Sequence, residues 1–322
     1  MSAVWRSVFS RLSPAGARAR LSIAIFHRVL PERDPIFPGE VTAAEFARIC
    51  EWFRDWFSPM PLDEAVGAFK SGALPARALA ITFDDGYADN HDVALPILQR
   101  YGLSATFFVA SAFLDGGRMW NDTLIESIRR TERRALDLEG TAAGSLGKLP
   151  CSSLAERQGV ISRLIASAKY LPQPERLQWV EAVAERAGAA LPQDLMMTSE
   201  QVRALHRAGM GVGAHTVNHP ILASVDVATM RHEIEAGRQH LEQIIDGRVA
   251  LFAYPNGQPG SDFGPEAVAI VRELGFDAAV STSWGAARIG DDPFQLPRFT
   301  PWDRTRNRFG LRMARNLWSR SV

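Results

Sequence analysis

In "ALAITFDDG", residues 78–86, an apolar run ends in Asp84 and Asp85, followed by Gly86. Asp-Gly is a common turn pair, which accounts for such an ending without chemistry. Two adjacent carboxylates nevertheless repel. A divalent cation bound by one would neutralise the site and leave the second ionised as a base. A second stretch, "HTVNHP", puts His215 and His219 four residues apart after another strand-like run. On a helical turn that spacing brings both imidazoles to one side, whereas in an open loop they are two solvated histidines. One Asp with two His is a recognised catalytic zinc set that keeps positions open for water and substrate. His27, closing "IAIFH", is a further histidine at a strand end.

These residues need elements that bring them together. "LSIAIFHRV" reads as a short buried strand, and "TAAEFARICEWFRDWF" as a helix with Thr42 as N-cap and Glu45 three residues on. "ALAITF" opens the next unit, a helix from about 88 to 100 follows, and "SATFFVA" is another strand. Alternation of strand and helix predicts a parallel sheet or barrel, in which active sites lie at the C-terminal strand ends. Both carboxylates fall there. From about Gly117 to Met197 no strand is expected; "DTLIESIRRTERRALDL", "SLAERQGVISRLIASAKYL" and "PERLQWVEAVAERAGAAL" read as helices, broken by a mobile loop "EGTAAGSLGKLP". This predicts a helical insertion. The alternation resumes through "MGVGA", a long helix over about 227–245, "VALFAYPNG", "DAAVST" and "FQLPRF".

A formal net charge of zero argues against a nucleic-acid binder with a broad basic surface. Cys50 and Cys151 lie far apart and outside any close-spaced metal motif, which fits a reducing compartment. No apolar stretch approaches the roughly 20 residues that span a bilayer. Arg6, Arg11, Arg18 and Arg20 break up the N-terminal apolar residues, so that no secretory signal is read there. A cytoplasmic protein is expected. Both ends, "VWRSVFSRL" and "RNRFGLRMARNLWSR", are cationic and amphipathic. Such segments either cap a core or lie peripherally in a membrane interface, here its inner face.

"TFDDG", "HTVNHP" and "FAYPNG", in this order between strands, resemble the signature of the polysaccharide deacetylases, the carbohydrate esterases that include chitin, peptidoglycan and nodulation-factor deacetylases. The likeness runs from about Leu21 to about Thr300 and leaves the insertion uncovered. It implies an α/β fold, a distorted (β/α) barrel with a helical insertion at about 117–197. Residues 1–20 are then an amphipathic N-terminal segment, and 21–322 a catalytic domain. It further implies Zn2+ or another divalent metal, and removal of acetyl from an N-acetylated amino sugar of a glycan or a lipid-linked sugar. Asp84 matches the family's general base, and Asp85, His215 and His219 its metal triad. The backbone at Asn256, after Pro255, matches the position that helps hold the oxyanion, while Tyr254 and Trp284 would line the sugar groove.

Three departures stand out. Ala253 takes the place of the arginine that orients the base, and Arg298 of "QLPRF" is the candidate replacement; a surface ion pair is the competing account. Ser283 stands where many members have aspartate. No histidine follows His240, so the family's C-terminal general acid is missing and His27 is the candidate in its place. Two other readings stay open: a metal hydrolase of a non-sugar amide, and an inactive glycan-binding protein.

Overall fold

The computed structural model describes residues 2–319. In chain order its strands are β1 (Arg20–Phe26), β2 (Ser58–Pro59), β3 (Ala78–Phe83), β4 (Thr106–Val109), β5 (Ala135–Asp137), β6 (Lys148–Pro150), β7 (Gly211–Ala214), β8 (Leu251–Ala253), β9 (Ala278–Trp284), β10 (Ala287–Arg288) and β11 (Leu296–Arg298). The α-helices are α1 (Ser2–Leu12), α2 (Ala43–Trp56), α3 (Leu62–Lys70), α4 (Leu95–Tyr101), α5 (Trp120–Arg130), α6 (Leu154–Ala168), α7 (Gln173–Ala187), α8 (Ser199–Arg207), α9 (Val227–Ile245), α10 (Pro265–Glu273) and α11 (Arg306–Trp318). The chain forms two compact units, Met1–Pro31 with Val41–Leu114 and Met197–Val322, and Glu32–Glu40 with Asp115–Met196.

In the first unit the strands run β1-β3-β4-β7-β8-β9-β11, each parallel to the next. The circuit closes just past β11. Phe299 donates its N–H to the Ile23 carbonyl at 2.7 Å, and its own carbonyl accepts from Ile25 at 2.9 Å. The result is a barrel-like sheet, with β10 antiparallel on β1 and β2 parallel on β3. Its strands are apolar almost throughout because both faces are covered. Leu21, Ile23, Ala80, Phe108, Leu251 and Val280 cluster on one face, while Ala24, Phe26, Ile81, Phe83, Phe107 and Phe252 join the helices on the other.

This alternation fixes the direction of the polar residues at the strand ends, since side chains i and i+2 share a face. Asp84 continues the parity of Ala80 and Thr82. His215 continues that of Gly213, where even a Cβ would fall 2.3 Å from the Phe108 ring. The expected helix after "TFDDG" begins as a π-helical turn, Asn90–Ala94, before α4; such turns occur often at functional sites.

The second unit departs from the all-helical expectation. The helix predicted through "DTLIESIRRTERRALDL" stops at Arg130, and "ALD" pairs with "KLP" as the antiparallel hairpin β5-β6. The stretch read as a mobile loop supplies that hairpin's connection and its second strand, with a 3-10 turn at Gly144–Leu146. Leu136 and Leu149, both buried, pay for the strand pairing by joining Leu124, Ile128, Leu164 and Trp179 in one cluster. A three-residue strand is too short to show periodicity, which is why sequence pattern missed it. No helix among the described residues is long and apolar enough to cross a membrane.

Candidate active site

Asp84 ends β3 on the inward face and is 2% exposed. Its backbone N–H is held by the Phe26 carbonyl at 2.9 Å, locking the ends of β1 and β3 together. Its carboxylate receives both arms of Arg298, Nη1 to Oδ1 and Nη2 to Oδ2, each at 2.7 Å. Arg298 is fully buried; its Nε donates to the Ser281 carbonyl at 2.8 Å, so the guanidinium plane has no freedom to turn. Burial by itself would raise the Asp84 carboxyl, but the charge of Arg298, with His215, the Arg298 hydrogen bonds and His27, holds it below the ordinary range. Arg298 is thus an interior partner of Asp84, not a surface ion pair.

Asp85 follows with φ at +78°, in the left-handed region. The consecutive carboxylates meet different partners, Asp84 the arginine and Asp85 the histidines. Its Oδ1 lies 3.4 Å from His215 Nε2 and 3.5 Å from His219 Nε2. The three donor atoms all fall within 4.8 Å of one another. Gly86 continues the left-handed path, and a Cβ there would meet Val109 at 2.9 Å. Burial would raise Asp85 too, yet the hydrogen bond from His215 and the charges of His27, His219 and His215 keep it far down.

The "HTVNHP" segment is not a helical turn. Thr216 and His219 both have positive φ, +67° and +52°, and the imidazoles converge through this irregular loop instead. Its rings lie 4.7 Å apart, centroid to centroid. His215 Nδ1 is 2.7 Å from the Ala253 carbonyl, which fixes that nitrogen as the donor and turns Nε2 toward Asp85. For His219, burial and the neighbouring His215 charge push the pKa down to about 4, so the ring is neutral at pH 7. His215 moves the other way: burial lowers it, but hydrogen bonding to Asp85 and the charges of Asp84 and Asp85 outweigh that.

Sequence reasoning missed what shapes this loop. Glu233, on α9 and 4% exposed, accepts N–H bonds from Val217 at 3.0 Å and Asn218 at 2.8 Å, and its other oxygen takes the Asn218 amide at 2.7 Å. Thr216 adds a hydroxyl that accepts from the His219 N–H at 3.0 Å. One turn along α9, Gly237 lets the helix press on the loop, for a Cβ there would sit 2.7 Å from the Thr216 backbone. The signal was present: Glu233 shares a helix stripe with Met230, Ile234 and Gly237, all buried, and a carboxylate on an apolar stripe requires partners.

His27, beyond β1, is exposed, and its charge acts on both aspartates. Its carbonyl accepts from Asn90 Nδ2 at 2.8 Å, and buried Asp89 accepts from Val29 N at 3.0 Å and Arg28 Nε at 2.8 Å. The turn after "TFDDG" therefore carries the segment that holds His27. In "AYPNG", Pro255 is buried and Asn256 exposed at φ +57°, with the Asn256 carbonyl accepting from Thr282 Oγ1 at 2.8 Å.

Two expected groove residues are placed differently. Tyr254 is fully buried, its ring stacked on Phe263 and its hydroxyl donated to the Phe294 carbonyl at 3.0 Å, so its side chain cannot line a sugar groove. The inward-outward alternation of β8 sends it to the helix side with Phe252. Trp284, register partner of Arg298, is half-buried against the helical core, with the Arg315 guanidinium 5.6 Å from its ring centre.

The family model described as polysaccharide deacetylase matches residues 71–135 and 178–279, together just over half of the chain. YxkH of Bacillus subtilis is 31% identical over 93 residues, 28% of this chain; the match spans 32% of that relative's length. Among solved structures, the Streptococcus pyogenes deacetylase PplD has a TM-score of 0.61 at 18% identity, covering 94% of this chain and 99% of that one. IcaB from Ammonifex degensii has a TM-score of 0.60 at 19% identity, covering 95% and 99%. A de-N-acetylase from Aggregatibacter actinomycetemcomitans follows with a TM-score of 0.53 at 16% identity, covering 87% and 94%. At these identities the structural likeness is one of fold, and it is the fold of a nearly closed parallel barrel with flanking helices. The motif-level match decides the rest: this chain belongs to the polysaccharide deacetylase family, whose members are hydrolases of carbon–nitrogen bonds other than peptide bonds.

Proposed function

We propose that the chain removes the acetyl group from an N-acetylated amino sugar of a polysaccharide, oligosaccharide or glycolipid, with a divalent cation held by Asp85, His215 and His219. The donor set fits such an ion: one carboxylate and two imidazoles, the first with its second nitrogen committed to a backbone carbonyl, face one another at a buried strand end. Zinc suits these nitrogen and oxygen donors. When bound, it supplies Lewis-acid chemistry, polarising the acetamide carbonyl and making water a nucleophile near neutral pH.

The residues divide the remaining work. Asp84, kept ionised and aimed by Arg298, takes the proton of the attacking water. A backbone amide of the Asn256 turn donates to the oxygen that gains charge. His27 hands a proton to the departing amine. Trp284 offers a partial ring face to the sugar. The observation that carries the reading is the Arg298 clamp, because it places an ionised, buried carboxylate beside the cation ligands and supplies the arginine lacking at Ala253; this favours an active enzyme over a glycan-binding relic.

Acetate release from N-acetylhexosamine oligomers, measured beside metal content, tests the proposal. Asp84→Asn should lose about 10²–10⁴-fold in turnover, the range general-base assistance supplies, while keeping its metal. Normal turnover in that variant removes Asp84 from the mechanism. Hydrolysis of a cyclic, non-sugar amide to its ring-opened product, with no acetate from the oligomers, would reassign the substrate.

A further inference from the structure

The face built by α1 and α11 has a chemistry that the active site does not use. The two helices lie side by side, so close at Gly310 that a Cβ there would fall 2.4 Å from the Trp5 ring. Inward they are ordinary core: Phe9, Phe309, Met313 and Leu317 are buried. Outward they are not. Along α11 the exposed positions Arg308, Leu311, Arg315 and Trp318 follow the spacing of one helical stripe. Leu311 is 64% exposed and Trp318 74%, and Val4 on α1 is 63% exposed. Single exposed apolar residues need no explanation, but several on one pair of helices, interleaved with arginine, do.

The charge of this face is one-sided in a chain whose formal net charge is zero. Neither α1 nor α11 contains an acidic residue. Arg312 pairs with Asp303 and lies 5.8 Å from the centre of the exposed Trp302 ring. Arg308 and Arg315 make no ion pair among the described residues, and both line a cleft of about 470 Å3 with Trp284, Leu311, Arg312 and Asp303, the last offset by its pairing with Arg312. Unpaired guanidinium groups flanked by exposed indole and leucine match the two layers of a bilayer interface, phosphate above and acyl chain below.

We infer that the α1–α11 face docks peripherally on an anionic phospholipid bilayer, with lipid phosphates against Arg308 and Arg315 and with Leu311 and Trp318 entering the interface. The inference deepens the deacetylase reading, on which it rests for one consequence: Arg315 touches Trp284, the register partner of the residue that clamps Asp84. A membrane-held substrate, a sugar on an anionic lipid, would then reach the Trp284 ring from the Arg315 side.

The test is flotation of the full chain with vesicles of phosphatidylcholine alone and of phosphatidylcholine with one-third phosphatidylglycerol, at about 0.1 M and about 1 M salt. The chain should float with the anionic vesicles at low salt and be released at high salt. Arg308→Glu with Arg315→Glu should weaken binding at low salt at least about tenfold, and Leu311→Ser with Trp318→Ser should also weaken it there. Circular dichroism melts check that each variant folds, and the salt dependence of the unmodified chain stands as a second reading if one does not. A chain that ignores both vesicles, that binds the neutral ones equally well, or that self-associates through this face in light scattering without binding lipid, overturns the inference. The readout is binding, so the outcome is separate from acetate release: a chain that floats but releases no acetate keeps the docking surface and loses the deacetylase reading.

Discussion

A carboxylate with a buried arginine as its partner is a different acid from one in water. Asp84 has both oxygens committed to Arg298 and is nearly inaccessible. Since its carboxyl is held below the ordinary range, its contribution to stability is present above the unfolded carboxylate pKa and is lost as pH falls through the folded one. The same depression keeps Asp84 ionised into mild acid, as the base proposed for the reaction must be. Arg298→Ala should reverse both effects, because burial then acts on Asp84 with its main opposing charge removed. The acid limb of the pH–rate profile should move up, and the chain should lose about 3–5 kcal/mol, the usual penalty for leaving one partner of a buried pair alone. Urea unfolding and pH–rate measurements read these separately; an acid limb that stays in place would mean that Arg298 only braces the barrel. Arg298 was legible as a candidate from its place at a strand end, and its pairing with Asp84 followed from the family resemblance, not from any pattern of spacing. One strand, β1, separates β11 from β3 through the closed side of the barrel, and only closure brings 298 to 84.

At the scale of elements, the histidine loop shows where pattern reading stops. The spacing of His215 and His219 suggested a helical turn, whereas the chain uses left-handed residues and a carboxylate from α9 to reach the same convergence. Periodicity describes regular elements and carries no information about a loop whose shape is set by a buried side chain sixteen residues on. Glu233 is a positioning residue: it touches neither the donor atoms of Asp85 nor those of the imidazoles. Glu233→Gln replaces one of the two acceptor oxygens with an amide and removes the charge from the remaining N–H bonds. Zinc affinity should fall about 10–100-fold, as for other residues that orient metal ligands. Titration with a competing chelator measures this without any substrate, and the melting curve of the metal-free chain supplies the control. If affinity is unchanged while the apo protein loses stability, Glu233 braces the fold alone.

For the molecule as a whole, alternation of strand and helix made the barrel legible, and the inward parity of β3 and β7 aimed the site residues. The short strands β5, β6 and β10 left no pattern to read. What the barrel holds at its mouth is strained: Asp85, Thr216 and His219 each occupy left-handed backbone, at about 1–3 kcal/mol apiece for residues with a Cβ. The folded chain alone presents the three donors, so an ion that binds there stabilises it by mass action, about 2.7 kcal/mol at a hundredfold excess over Kd. In a domain of this size each kcal/mol moves Tm by roughly 2–4 °C. Zinc should therefore raise Tm about 5–10 °C over the chelator-treated protein. Asp85→Asn is the sharp control, because asparagine tolerates the left-handed turn while its neutral amide is a poor ligand. That variant should melt near the chelated protein and ignore added zinc. If the unmodified chain melts at one temperature with zinc and with chelator alike, Asp85, His215 and His219 do not share an ion, and the chemistry assigned to Asp84 loses its partner.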